Sequence, residues 1–204
     1  MHVYRFRSQS IKTQAAPRFI AESLFAVPSG RPLSMIDFSG PRAARCDVLA
    51  LSGAPAALPE GLTLMARIAD DRTLVELCGA SGLGRWRGAL AIAHEDGGMT
   101  VFGRSEQDMA VAANAVIKAG GGLAVAEGDW INALIRLPAR NQRADPGETE
   151  REIASVGNAL AVLVDRKPPF LLKKLLDCTL APPAKGGPAG GFGADGDDPL
   201  AAAE

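Results

Sequence analysis

The sequence predicts a mixed α/β (α+β) fold, with a mixed sheet packed against two main helices and followed by a disordered C-terminal tail. Three observations carry that expectation. Between positions 45 and 103, short apolar runs alternate with turn residues, as successive strands of a sheet do. Two longer segments, 105–119 and one opening at Asp145, show helical periodicity with start and stop signals. Beyond Leu180 the chain is rich in Gly, Pro and Asp, a composition too poor in apolar surface to offset the entropy of ordering. The expected organisation is one domain over residues 1–180 and a tail over residues 181–204.

Each element has a local reason. Residues 2–6 alternate as a short strand, and residues 16–26 place Phe19, Ile20, Leu24 and Ser23 on one helical face, with Pro17 in the first turn. The segment from Val27 to Pro32 breaks that helix. Strands are expected at 47–51, 62–68, 73–78, 89–93 and 99–102, joined by Gly-Ala-Pro, Pro-Glu-Gly, Ala-Asp-Asp and Asp-Gly-Gly links. In the 105–119 helix, Ser105 caps the start and Asp108 completes a capping-box pattern. Met109, Ala112, Ala113, Val116 and Ile117 share its core face, and the Gly120-Gly-Gly122 triplet ends it. Residues 123–126 and 130–137 then pair as a hairpin around Glu127-Gly-Asp129. The second helix takes Asp145 as cap, Pro146 at its first position and Glu148 to reach back. Its apolar stripe is Ile153, Val156, Leu160, Leu163 and Val164, and Lys167-Pro-Pro169 stops it before a short amphipathic helix at 170–176.

Composition narrows the function classes. Of 204 residues, 47% are hydrophobic but only 5% aromatic, so the core is aliphatic. A formal net charge of −1 supplies no field to steer nucleic acid or an anionic membrane. The cysteines Cys46, Cys78 and Cys178 are far apart, with no CxxC, and read as reduced structural thiols. No run approaches the roughly 18–20 apolar residues of a membrane span, and no apolar core follows the basic residues of the N-terminus. The expectation is a cytoplasmic protein with neither nucleic-acid nor membrane partners.

Two places could carry chemistry. His94-Glu95-Asp96 follows an apolar strand, where functional groups of α/β proteins are often placed. His94 could serve as a base or a metal ligand, and Asp96, two residues on, is its same-face partner, with Glu95 pointing away. The plain alternative is a loop histidine ahead of a Gly-Gly turn. The second place is the glycine-rich stretch 79–88, where Gly82 and Gly84 could offer backbone amides to a phosphate, with Arg85 and Arg87 adding charge. It matches neither G-x-x-x-x-G-K-[ST] nor G-x-G-x-x-G and precedes a strand, so a turn is the alternative. Asp195-Gly-Asp-Asp198 lacks the ligand spacing of a calcium loop, and no serine has a G-x-S-x-G context.

From about Thr73 to Leu163 the chain resembles the C-terminal domain of bacterial adenine deaminases. The residues that carry the likeness are Ala93-His94, Gly103, Asp108-Met109-Ala110, Asn114, Gly120-Gly-Gly122, Leu137-Pro138 and the helix from Asp145. The stretch 79–88 stands where the family has a glycine-rich run, and residues 31–38 extend the likeness weakly. Departures are clear: where the family has Ala-His-Asp-Ser-His-Asn, this chain has Glu95, Asp96 and Gly97-Gly98 after His94, so the second histidine is lost. The family's metal-binding amidohydrolase barrel, which takes about 250 residues, has no counterpart in these 204. Deamination of adenine calls for a metal-activated water, held by three or more His, Asp, Glu or Cys ligands. The chain has two histidines, one at position 2, and no H-x-H or H-x-x-x-H.

The resemblance thus implies three readings. In the first, the chain is a stand-alone accessory or binding module without autonomous catalysis, acting as a homo-oligomer or with a separate amidohydrolase subunit. In the second it is a subunit or diverged form of an adenine deaminase, with His94, Glu95 and Asp96 at the rim of a partner's site. There a divalent metal enters only through the partner barrel, and no cofactor belongs to this chain. In the third, the stretch 79–88 and His94 bind a purine or a phosphorylated metabolite.

Overall fold

In the computed structural model, residues 19–28, 30–50, 58–136 and 146–180 are described. The strands are β1 (Pro32–Asp37), β2 (Ala44–Ala50), β3 (Thr63–Ile68), β4 (Leu74–Ser81), β5 (Arg85–Trp86), β6 (Ala89–Ala93), β7 (Met99–Gly103), β8 (Leu123–Glu127), β9 (Trp130–Ile135) and β10 (Val164–Asp165). The helices are α1 (Glu106–Ala119), α2 (Pro146–Leu163) and α3 (Leu171–Leu180). Eight strands form one sheet in the order β2-β1-β4-β3-β7-β6-β8-β9, and β5 pairs separately with β10. Neighbours are antiparallel except β1 and β4, which run parallel. The expected mixed sheet with helices is therefore present.

The sheet is a wall between two cores. On one side Leu64, Ala66, Ala91, Val101 and Ala124 meet Met109, Ala112, Ala113 and Val116 of α1. On the other, Met65, Leu90, Phe102 and Val125 meet Val156, Leu160 and Leu163 of α2 and Leu171 and Leu175 of α3. With both faces covered, β6 and β7 are apolar at almost every position instead of alternating. The outer strand β9 is largely exposed.

Helix α1 forms as its sequence directs. The Ser105 side chain accepts the Asp108 amide at 3.3 Å, and Gly120 closes the helix at φ 80°. The Asp108 carboxylate does not stay within the cap: it accepts the Gly128 amide at 2.6 Å, tying the helix start to the β8–β9 turn. Burial raises its pKa, opposed by that amide.

Several expectations need correction. Of the helix expected over 16–26, residues 16–18 lie outside the described residues, and the rest holds a single 3-10 turn at Glu22–Phe25. At Ile20 the reason is visible: the Asn114 side chain takes its amide (2.8 Å) and its carbonyl (2.9 Å), so neither joins a helix. Phe19, assigned to the core face, is exposed. Strand β1 had no expectation, and β4 continues through Gly79 to Ser81 because a residue without a Cβ admits the Met35 side chain there. In α2, Val156, Leu160 and Leu163 are buried, but Ile153 is half-exposed, about 4.5 Å farther along the axis, where the buried stripe has ended. Val164 leaves the helix to pair with Trp86. Phe170 lies outside α3 and is exposed, at φ 56°. Cys78 and Cys178 are buried thiols, whereas Cys46 is exposed. The strand at 2–6, Asp145 and the tail from 181 lie outside the described residues. Among the described residues no helix is long and apolar enough to cross a membrane.

Candidate functional site

His94, Glu95 and Asp96 form the turn between β6 and β7. The turn closes through His94 N–H to Gly98 O (2.8 Å) and Gly97 N–H to His94 O (3.2 Å). The Asp96 carboxylate accepts the Gly98 amide at 3.0 Å, which fixes the bend. His94 and Asp96 do share a side, with Nδ1 3.8 Å from Oδ1, a loose pair because Asp96 is mostly in solvent. The other ring nitrogen, Nε2, is 2.8 Å from the Thr100 hydroxyl. Glu95 is exposed.

Such an arrangement does not fit a hydrolytic metal. Protein ligands stand about 2.0–2.2 Å from zinc, so they crowd one point, whereas here Nε2 is engaged by a hydroxyl and the carboxylate by a backbone amide. Among the described residues no three His, Cys, Asp or Glu side chains stand together as ligands. What the turn can do is hold a neutral imidazole. Burial lowers the His94 pKa, and Arg67 lowers it further against the opposing pull of Asp96.

That depression has a sign in stability. The unfolded chain binds a proton at His94 near the ordinary value of 6.5, while the folded chain resists it until lower pH. Stability is therefore complete above that value and falls as pH drops through it toward the folded pKa. Urea unfolding between roughly pH 5 and 7.5 should show the decline in the native chain and a flatter profile in His94→Gln; parallel profiles would refute the assignment.

The glycine-rich residues do not converge on one cavity. Gly82 backs onto the Ser39 amide, 2.6 Å from where a Cβ would stand, and Gly84 backs onto the Asp165 carbonyl. Arg85 pairs with Glu60. Arg87 donates from its side chain to Val162 O at 2.6 Å and from its amide to Leu163 O at 3.0 Å. These carbonyls belong to the last turn of α2, where helical partners run out. The loop thus braces the second helix, with Trp86 buried beneath it and donating to Leu83 O at 3.2 Å. A cavity of about 490 Å³ lies elsewhere, between α2 and the α2–α3 link, lined by Gly157, Leu160, Pro168, Pro169 and Leu172 among others.

Sequence reasoning missed a polar row on the α2/α3 side of the sheet: Thr100, Arg67, Glu76 and Arg45. Arg45 grips Glu76 at 2.8 and 3.0 Å, and Arg67 stands 3.9 Å from the same carboxylate. The sequence signal was a charge inside each of three strands, Arg67 in β3, Glu76 in β4 and Arg45, two residues before Asp47, in β2.

Comparison with known proteins places this architecture. Residues 60–192, well over half the chain, match the family model described as the adenine deaminase C-terminal domain. The chain is 40% identical over 141 residues to adenine deaminase 2 of Rhizobium meliloti (strain 1021), covering 64% of this chain and 23% of that protein. It is 42% identical over 106 residues to adenine deaminase 2 of Rhizobium etli, covering 50% and 18%. With the adenine deaminase of Serratia proteamaculans (strain 568) it shares 30% over 129 residues, covering 60% and 22%. The chain thus spans about a fifth of the length of these curated relatives. On the family match and these identities, the chain belongs to the adenine deaminase C-terminal domain family.

Proposed function

We propose that this chain is an accessory module of adenine-deaminating machinery, without a hydrolytic centre of its own, that works by association with a metal-bearing amidohydrolase barrel. The observation that carries this reading is the donor inventory. The one histidine among the described residues is held by a threonine hydroxyl and a loosely placed, solvated carboxylate. Around it stands a well-packed domain of a family whose named relatives align with it over only 18–23% of their own length. Activation of water for attack on a purine ring requires an open metal position, and the donors at the turn 94–98 do not converge on one. Glu95 and Asp96 are exposed and His94 keeps 18% of its side-chain surface beside them, and a contribution of this turn to the edge of a partner's site is part of the proposal.

The test is direct. The purified chain, supplied in turn with Mn²⁺, Fe²⁺ and Zn²⁺, should form no hypoxanthine from adenine; turnover would overturn the reading. Mixed with a barrel-type amidohydrolase from the same source, it should co-elute and change that enzyme's stability or activity. If no barrel-containing protein is retained and no activity changes on mixing, association is refuted.

A further inference from the structure

We propose that the cavity between α2 and the α2–α3 link is closed by the chain's own C-terminal segment, with Phe192 as its apolar anchor and Asp195, Asp197 and Asp198 against the lysines at the rim. The lining comes from three pieces of chain: Gly157 and Leu160 of α2, Pro168 and Pro169 of the link, and Leu171 and Leu172 of α3. Its volume of about 490 Å³ falls within the range of about 300–1,000 Å³ that pockets for small organic groups occupy. Phe170 stands at its edge with 80% of its surface exposed, apolar area that a cover would take out of water.

The charges there are one-sided. The lining holds Lys167 and Lys173 and no carboxylate, and α2 is uncharged from Ile153 to Leu163. From Val164 to Leu180 the chain carries four cations, Arg166, Lys167, Lys173 and Lys174, against Asp165 and Asp177. Asp165 stands opposite Arg85 in the β10–β5 pair. Lys173 meets Asp177 at 2.6 Å, both well exposed, and Lys174 donates to Phe38 O and Gly40 O at 2.7 and 2.9 Å. Lys167 has no hydrogen-bond or ion-pair partner among the described residues.

The occupant follows from where α3 delivers the chain. Residues 181–204, outside the described residues, hold one aromatic, Phe192, and four carboxylates (Asp195, Asp197, Asp198 and Glu204) against one lysine, Lys185. Their sign is opposite to that of the rim. Eleven residues separate Leu180 from Phe192 and can span about 36–40 Å, whereas α3, whose first turn lines the cavity, is about 15 Å long. The match to the adenine deaminase C-terminal domain also runs through residue 192, twelve residues past α3, so the anchor lies inside the stretch shared with the family. A tether this short gives an effective concentration on the order of millimolar. A modest intrinsic affinity then suffices, supplied by the ring, because exposed ion pairs alone contribute little. The contact lies within one chain and does not rest on the accessory reading, so either can fail alone.

Nuclear magnetic resonance on the full chain tests it. A nitroxide is attached at Ala201→Cys, three residues past Asp198, in a Cys46→Ser background; the buried Cys78 and Cys178 are left alone. The label should broaden the signals of Gly157, Leu160 and Leu172, while Met109 and Val116 on the other side of the sheet keep theirs. Phe192→Ala should lower that broadening about fivefold or more. Asp195→Asn, Asp197→Asn and Asp198→Asn combined should lower it less, as high salt does. Broadening absent from the cavity, or unchanged in either variant, would overturn the proposal. So would equal broadening when spin-labelled chains are mixed with isotope-labelled, spin-free ones, which would make a second copy the occupant.

Discussion

Gly122→Ala should cost roughly 4 kcal/mol of folding stability, summing a strained backbone and an overpacked contact. Gly122 sits at φ 108°, outside the conformations an L-residue adopts readily. A Cβ there would overlap the Ile135 carbonyl oxygen, with the carbonyl carbon at 2.9 Å and the Arg136 Cα at 3.1 Å. All of these are backbone atoms, so no side chain can swing aside. Position magnifies the effect. The Gly122 carbonyl accepts the Ala93 amide at 2.8 Å, and the next residue, Leu123, pairs with Ile135 at the start of the β8–β9 ladder. A methyl group would therefore push β9 off the sheet where its register begins. Gly120→Ala is the control: its φ is 80°, but nothing lies within 4 Å of its Cβ position, so only the conformational cost of about 1 kcal/mol applies. Urea unfolding of both variants decides the matter. A Gly122→Ala cost within experimental error of Gly120→Ala would show that the close approach to Ile135 is not real.

Such contacts mark the limit of what the sequence could disclose. Strand β6 falls on the expected residues 89–93, and α1 within the expected 105–119, because apolar continuity and capping are local properties that each segment carries by itself. The glycine triplet was legible as a helix stop for the same reason. That its third member faces the Ile135 carbonyl was not, since this depends on strands that meet only after folding. The glycine-rich stretch shows the ambiguity most clearly. A glycine that lets a phosphate approach and one that lets its own chain approach look alike in sequence, and here Gly82 and Gly84 admit Ser39 and Asp165. His94 and Asp96, two apart, could be paired by counting. Arg45, Arg67 and Glu76 could not, because the sheet order that gathers them runs β2-β1-β4-β3, with a parallel pair and a strand that had no forecast.

Phe102→Ala should destabilise the protein by about 3–5 kcal/mol, the range for emptying a fully buried aromatic site. Phe102 has no exposed surface and lies on β7, paired with β3 on one side and β6 on the other. Its ring meets Phe38 edge-on, with centroids 6.2 Å apart and planes at 81°, and Trp86 at 6.4 Å with a tilt of 32°. Such pairs contribute about 0.5–1.5 kcal/mol beyond burial, so Phe102→Leu, which keeps most of the volume, should still lose about 1–2 kcal/mol. The loss should also travel. Trp86 belongs to β5, whose partner β10 continues directly from α2, so a cavity beneath the indole loosens the brace that holds the second helix on the sheet. Fluorescence can follow this, because the chain has two tryptophans and the other, Trp130, is 78% exposed. In Trp130→Phe, the remaining emission belongs to Trp86 and should shift to the red when Phe102→Ala is added, before global unfolding. An unshifted spectrum together with a loss below about 1.5 kcal/mol would mean that the cluster collapses around the missing ring, and that α2 is held by Arg87 at its last-turn carbonyls rather than by the aromatic packing beneath it.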